Sequence, residues 1–324
     1  MISIDEFCSR LNEYGSKRTP FLFLVDFELQ KPLVFPLEEI DSQSILYNIN
    51  GRTNFVETPL GHTHIDFHKR PPGFNDYKKK FDKVWSHLIY GDSYLTNLTI
   101  KTEVTTNVSF REMFFRSQAK YKLLFANQFL VFSPETFVRI ENGRIFSHPM
   151  KGTIDAAIEN ARAKVLNDAK EMAEHVTIVD LIRNDLSAVA RNVKVTRFRY
   201  VEEIRTIQKN LLQVSSEIQG ELPEGHMSRL GDILLSLLPA GSVSGAPKNK
   251  TLEIIRKAEG ERRGYYTGVV GLFDGEVFDS GVMIRFLERD HDTMYYRSGG
   301  GITVQSSVET EYQEAIDKVY VPLD

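Results

Sequence analysis

Residues 137–146 read Phe-Val-Arg-Ile-Glu-Asn-Gly-Arg-Ile-Phe. Phe137-Val-Arg-Ile and Arg144-Ile-Phe are strand-like runs, and Asn142-Gly143 between them supplies the positive φ angles that a two-residue hairpin turn needs. The same pattern returns where Val269-Val-Gly-Leu-Phe and Glu276-Val-Phe flank Asp274-Gly275. Phe21-Leu-Phe-Leu-Val-Asp-Phe and Pro32-Leu-Val-Phe look like another strand pair, and Tyr121 to Phe132 like two strands joined at Ala126-Asn127. Tyr94-Leu-Thr-Asn-Leu-Thr-Ile is a further strand-like run. Helical spacing appears from about Phe67 to Ile89, and in Ala156 to Leu186, Thr251 to Ala258 and Glu309 to Tyr320. Antiparallel hairpins set between helices predict an α+β fold, with large antiparallel sheets covered by helices, rather than a βαβ repeat. No internal repeat, low-complexity segment or linker interrupts the chain, so residues 1–324 read as a single domain.

The bulk properties fit a globular chain. Hydrophobic residues make up 41% and charged residues 26%, the balance of an ordinary folded protein. The net charge of −4 gives no general pull toward nucleic acid or an anionic membrane. An anionic substrate would therefore need local cations. Cys8 is the one cysteine, which excludes an intrachain disulfide framework and a Cys-based zinc site. The opening residues lack a basic segment followed by an apolar run, and no apolar stretch approaches ~20 residues. The expectation is a cytoplasmic protein.

Four constellations bear chemistry. Glu171, Glu174, Ile178 and Leu181 are spaced 3, 4 and 3, so two carboxylates continue an apolar helical stripe. Acids on an inward face are costly unless a cation neutralises them, and a hard ion such as magnesium suits oxygen ligands. The bland alternative is a solvated flank. Glu311 and Glu314 repeat the spacing, with Lys318 following, and here the alternative is an exposed helix with a Glu–Lys pair. Ser298-Gly-Gly-Gly-Ile302 allows backbone N–H groups to approach an anion such as a carboxylate, or else is a tight strand junction. His148-Pro-Met-Lys151-Gly-Thr153 ends a hairpin. Lys151 is either an unremarkable turn lysine or, if its loop faces a closed cavity, a desolvated and nucleophilic amine. Gly241-Ser-Val-Ser-Gly-Ala-Pro-Lys248 lacks the spacing of a phosphate loop, so a nucleotide site is rejected.

Ser133-Pro-Glu-Thr-Phe137, Pro149-Met-Lys-Gly-Thr153, Glu174-His-Val-Thr-Ile-Val-Asp-Leu-Ile-Arg-Asn-Asp185, Gly241 to Lys248, Ile284-Arg285 and Gly299 to Lys318 occur together and in this order. In this the chain resembles the chorismate-utilising enzymes, among them anthranilate, aminodeoxychorismate, isochorismate and salicylate synthases. The resemblance covers roughly residues 92–324, with 1–91 as a shortened N-terminal part. It implies two orthogonal antiparallel sheets flanked by helices, with the site in a cleft between them. It implies that Glu174 and Glu314 hold Mg²⁺, with Glu171 and Glu311 adjacent, and that the metal holds the ring carboxylate of chorismate. Arg285 and the backbone of Gly299, Gly300 and Gly301, helped by Tyr266, would clamp the enolpyruvyl carboxylate. Thr153, Ser242 and Lys318 fall where the family lines its pocket.

Within that family, Lys151 is similar to the aminodeoxychorismate branch, whereas anthranilate synthases usually carry alanine there. The resemblance implies that Lys151 attacks C2 as the C4 hydroxyl leaves and that Glu135 protonates the departing oxygen. Leu95 stands where isochorismate and salicylate synthases have a lysine base, which counts against those branches. Gln213 departs from the histidine of many relatives. The short N-terminal part implies no tryptophan-binding site. With no amidotransferase cysteine, ammonia would come from a separate glutamine amidotransferase subunit, and conversion to 4-aminobenzoate, on the way to folate, would need another protein. The competing readings are anthranilate synthase component I and a catalytically silent chorismate-binding module.

Overall fold

A computed structural model describes residues 2–56, 64–204 and 210–322. Its strands form two antiparallel sheets, nine strands in each among the described residues. The Asn142-Gly143 hairpin is built as its sequence demands. Asn142 has φ 51° and Gly143 φ 72°, and Arg144 pairs with Glu141 across the turn. Ala126 and Asn127, also left-handed at φ 45° and 52°, link Tyr121–Phe125 to Phe129–Ser133.

Phe21–Val25 shows how the sheets stack. Side chains alternate across a strand. Leu22 and Leu24 pack with Ile45, Tyr47, Leu123, Val131 and Phe286 of the second sheet. Phe21, Phe23 and Val25 turn the other way, onto Phe7 and Leu11 of helix Ile4–Lys17 and Leu230 to Leu237 of helix Leu230–Leu237. The outer face of the second sheet is covered in part by helix Phe110–Arg116 and in part by helices Phe74–Tyr90, Lys248–Glu259 and Val308–Asp317. The order of layers is helices, sheet, sheet, helices. Fully burying each aromatic or aliphatic side chain in these interfaces contributes about 1.5–3 kcal/mol.

Three expected elements differ in extent. The run Ala156 to Leu186 is two helices, Ala161–Asn167 and Ala169–Ser187. Asp168 separates them because its side chain accepts from Glu171 N at 2.9 Å and caps the second, a local option that periodicity does not reveal. Helical spacing from Phe67 begins instead as strand Phe67–Arg70, and the helix starts only at Phe74. Pro71-Pro72-Gly73 forces that break, since proline removes a donor and restricts its predecessor. Ser298 to Ile302 is the end of a regular strand, Thr293–Ile302, paired with Leu95–Thr106.

One buried ion pair ties the layers around the future site. Arg263 and Glu259 are both 1% exposed and meet at 2.6 Å. Glu259 Oε1 also accepts from Thr99 N and Thr99 Oγ1 at 2.9 Å. Arg263 donates to Val243 O at 2.7 Å and Asn97 O at 2.8 Å. Replacing Glu259 by Ala leaves a buried guanidinium without its counter-ion. The expected loss is about 3–5 kcal/mol of unfolding free energy, measured by urea titration. A loss below about 1 kcal/mol would show that water reaches Arg263 and that the tie is not structural.

Candidate active site

Strand Met150–Asp155 pairs with Leu211–Glu221, setting Met150 opposite Ser215 and Thr153 opposite Gln213. One strand advances one residue more than the other, so a bulge lies at Lys151-Gly152. Gly152 has φ 89°, a conformation open mainly to glycine. A Cβ there would stand 3.3 Å from Glu171 Oε2. The bulge aims Lys151 at helix Ala169–Ser187, where its Nζ meets Glu174 Oε2 at 2.6 Å. Behind it, His175 is fully buried, with Nε2 2.7 Å from Ser216 Oγ, and Ser216 N donates to Pro149 O at 3.0 Å. Burial pulls the His175 pKa down to about 4, so the ring supporting the bulge is neutral.

The second acidic helix, Val308–Asp317, faces the same region. Lys318 Nζ lies 2.6 Å from Glu314 Oε1 and donates to Gly299 O at 3.1 Å. Glu311 is buried and accepts from Ser306 Oγ at 2.8 Å. Gly300 forms the floor beneath them, since a Cβ on it would come 3.5 Å from Glu311 Oε2 and from Glu314 Oε1. Gly299 and Gly301 face the other way, onto strand Leu95–Thr106, where a Cβ would clash with Leu98 O and crowd Leu95 Cδ1. The glycine run is therefore the close strand packing that the sequence left as one of two readings, with Gly300 turned toward the site.

The charges explain one another. Burial alone would lower the Lys151 pKa, but Glu174, with Glu314 and Glu171 behind it, outweighs this and holds the ammonium above its ordinary value. The neutral amine expected from desolvation is thus not the form in this structure. Burial raises Glu171, opposed by Lys151 and reinforced by Glu174, Asp168 and Glu314. The buried Glu171 Oε2 has no hydrogen-bond partner. Among the described residues no three His, Cys, Asp or Glu side chains already converge as a metal cluster. The all-oxygen donor set and the orphaned Glu171 oxygen nevertheless fit a hard divalent ion, with ammonium groups now resting on Glu174 and Glu314.

Opposite stands an acid. Ser242 Oγ donates to Glu135 Oε1 in a short hydrogen bond. Burial raises the Glu135 pKa, opposed by Ser242 and by Lys318. A cavity of about 20 Å³, room for roughly one water molecule, is lined by Glu135, Ser242, Gly241 and Asp185 among others. Ser242 is fixed from behind. Lys248 Nζ lies 3.0 Å from Asp185 Oδ2 and donates to Leu237 O at 3.1 Å, and a Cβ on Gly241 would stand 2.9 Å from Asp185 Oδ2.

The remaining expected residues spread around this centre. Tyr266 is buried, and burial pushes its hydroxyl pKa up, with Arg263, Glu259, Arg297 and Glu135 as neighbouring charges. Arg285 is left-handed at φ 51° and rests on the Tyr320 ring. Thr153 is exposed just past the bulge, and among the described residues no hydrogen bond joins its side chain to the charged cluster. Gln213 Nε2 reaches Gly152 O at 3.5 Å, so it lies at the bulge. Leu95 is 8% exposed and packs on Gly301. His175, Asp185 and Lys248 lie inside the quoted motifs but had no role assigned. Nothing in their spacing shows that they meet strands and helices far along the chain.

The family model for chorismate binding enzymes matches residues 36–324, well upstream of the stretch that the motifs alone marked. An uncharacterized PabA-like protein of Pasteurella multocida is 49% identical over 323 residues, 99% of this chain and 100% of that protein. Aminodeoxychorismate synthase component 1 of Salmonella typhimurium is 34% identical over 260 residues, 75% of this chain and 56% of that protein. Among solved structures, anthranilate synthase component I of Streptococcus pneumoniae aligns with a TM-score of 0.65 at 28% identity, covering 79% of this chain and 59% of that one. Among the described residues no helix is long and apolar enough to cross a membrane.

The raised Glu135 pKa has a consequence for stability. A carboxyl harder to ionise when folded costs stability once pH rises above its ordinary value of 4.5, and costs nothing where both states are protonated. E135Q keeps an acceptor for Ser242 without that cost. Its melting temperature should exceed that of the wild type at pH 7–8, and the difference should vanish near pH 4. A constant offset at every pH would assign the effect to packing instead.

Proposed function

The chain belongs to the chorismate-binding enzyme family, and from that premise we propose that it aminates chorismate at C4 to give 4-amino-4-deoxychorismate. The carrying observation is the bulge that places Lys151 against Glu174, with the Glu135–Ser242 pair as the acid of the same site. On this reading Glu174 and Glu314 hold Mg²⁺, with Glu171 and Glu311 beside them, and the ion supplies positive charge for the ring carboxylate of chorismate.

The steps assigned to the chain's own residues balance. The neutral Lys151 amine forms a bond to C2, the two ring double bonds shift in turn (C1=C2 to C1=C6, and C5=C6 to C4=C5), and the C4–O bond breaks. Glu135 gives its proton to the leaving oxygen, which departs as water. Ammonia then bonds to C4, both double bonds shift back, and the C2–N bond to Lys151 breaks. The surplus proton from ammonia restores Glu135. Splitting one displacement into two is the use of a covalent nucleophile, and a buried acid with a raised pKa is suited to the proton transfer. Lys151 must first lose its proton. Lys151 would do so where the charge of Glu174 is neutralised, because Glu174 is the main charge holding the ammonium and desolvation then favours the amine.

Ammonia is assigned to a separate glutamine amidotransferase subunit. Arg285 receives the enolpyruvyl carboxylate, because a guanidinium fits a planar carboxylate in two parallel hydrogen bonds. One observation favours a second reading, anthranilate synthase component I: the 2.6 Å contact keeps Lys151 as an ammonium ion, and in that form it is no nucleophile.

The test is to incubate the protein with chorismate, Mg²⁺ and ammonium and identify the product. The expected product is 4-amino-4-deoxychorismate, and anthranilate would move the chain to the second reading. K151A should lower formation of the aminated product by a factor of 10² or more, on the scale of lost catalytic groups. Retention of wild-type kcat by K151A would remove the covalent step.

A further inference from the structure

Arg285 stands at the entry of strand Phe286–Asp290 with φ 51°, and its carbonyl accepts from Phe132 N at 3.1 Å. Among the described residues its guanidinium has no carboxylate partner. It lies instead over the face of Tyr320, with Cζ 4.7 Å from the ring centroid. Tyr320 follows helix Val308–Asp317 directly, and its N–H donates to Lys318 O at 3.2 Å. One short stretch therefore carries Glu314, Lys318 and the ring that covers Arg285. Tyr296 is fully buried close by. The charge of Arg285 and the presence of Tyr320 both bear on its hydroxyl.

This arrangement has a geometric consequence. A guanidinium is planar, and a carboxylate binds it in that plane, along the N–H edge. An aromatic ring takes the face, perpendicular to the plane, so the two contacts do not compete. A long, flexible arginine side chain can sweep many orientations. A ring held against its face leaves it one plane in which to receive an anion, and lowers the ordering needed at binding.

We propose that Tyr320 is the positioning residue of this anion site, stacking on Arg285 so that its free edge is presented to a planar substrate carboxylate. The inference rests on the reading that Arg285 receives a carboxylate of chorismate. Tyr320 acts through Arg285 and touches no reacting atom. The ring face matters, and the hydroxyl does not.

The experiment measures chorismate binding at equilibrium and steady-state kinetics on the full chain with Mg²⁺ and ammonium. The variants are Y320A, Y320L, Y320F, R285A and R285A/Y320A, each checked for folding by circular dichroism. Y320A and Y320L should raise Kd and KM about 3- to 10-fold, with a smaller change in kcat. Y320F should restore the affinity lost in Y320L. In the R285A background Y320A should add less than about twofold. If Y320L binds as tightly as Y320F, apolar bulk alone is used and the proposal fails. Equal weakening by Y320A with and without Arg285 also overturns it. R285A binding chorismate as tightly as the wild type would sink the parent reading of Arg285 as well. R285A weakened with Y320A unaffected would sink the role of Tyr320 alone. Because the Tyr320 side of the molecule is open, with the residue 37% exposed, Y320L also guards against a loss of folding in Y320A.

Discussion

Carboxylates from two helices, Glu171 and Glu174 on one and Glu311 and Glu314 on the other, bear on one another across a partly buried space. Like charges at such range cannot all persist without cations. In this structure Lys151 and Lys318 supply them, each 2.6 Å from a glutamate oxygen. The surrounding fold serves that constraint. The bulge at Lys151-Gly152 brings an ammonium to one acidic helix, and Lys318, capping the other helix, reaches Glu314 one turn back. Gly152 and Gly300 leave room for the carboxylates between them.

The acid corner is held by a different device. The two most distinctive strings in the sequence, Glu174 to Asp185 and Gly241 to Lys248, close on each other through the Lys248–Asp185 pair at 3.0 Å. Burial raises Asp185 and Lys248 opposes it, so this pair is partly desolvated and more than a surface contact. Gly241 lies against Asp185, and Ser242, the next residue, meets Glu135. A helix that carries Glu171 and Glu174 at its start thus carries, at its end, the anchor for the residue that holds Glu135. The co-occurrence of the strings has a physical cause: they are the two sides of one joint.

Local chemistry was legible in the sequence, and long-range register was not. Asn142-Gly143 announces its hairpin because positive φ is a property of those residues. The 3- and 4-residue spacing of Glu171, Glu174, Ile178 and Leu181 announces two acids in line with an apolar stripe, but not whether they face inward or form a solvated flank. The bulge is invisible in Pro-Met-Lys-Gly-Thr, because it depends on how Met150 and Thr153 meet Ser215 and Gln213, some 60 residues on. For the same reason Lys151 could be read as a turn residue or as a nucleophile, but not as an ammonium bound to Glu174. The three glycines after Ser298 allowed either anion-binding backbone amides or a tight strand junction, and two of them answer to a neighbouring strand. Asp168 hid within a helical pattern because capping is a matter of one side chain and one N–H. The Arg285–Tyr320 stack joins a strand entry to the end of a helix, and no sequence pattern encodes that meeting.

The raised pKa of Lys151 also orders the events of the proposed reaction. A lysine that is desolvated without a partner would be neutral at rest and exposed to any electrophile reaching the site. Lys151 is instead held by Glu174, so its reactive form depends on what Glu174 is doing. On the proposed reading Glu174 is claimed by the cation that also holds the substrate carboxylate. Neutralising Glu174 and releasing the amine would then be coupled through a single carboxylate. Linkage runs both ways: a protonated Lys151 resists the loading of Glu174, and a loaded Glu174 resists protonation of Lys151. On that reading the 2.6 Å contact between Lys151 and Glu174 would withhold the amine until Glu174 is neutralised.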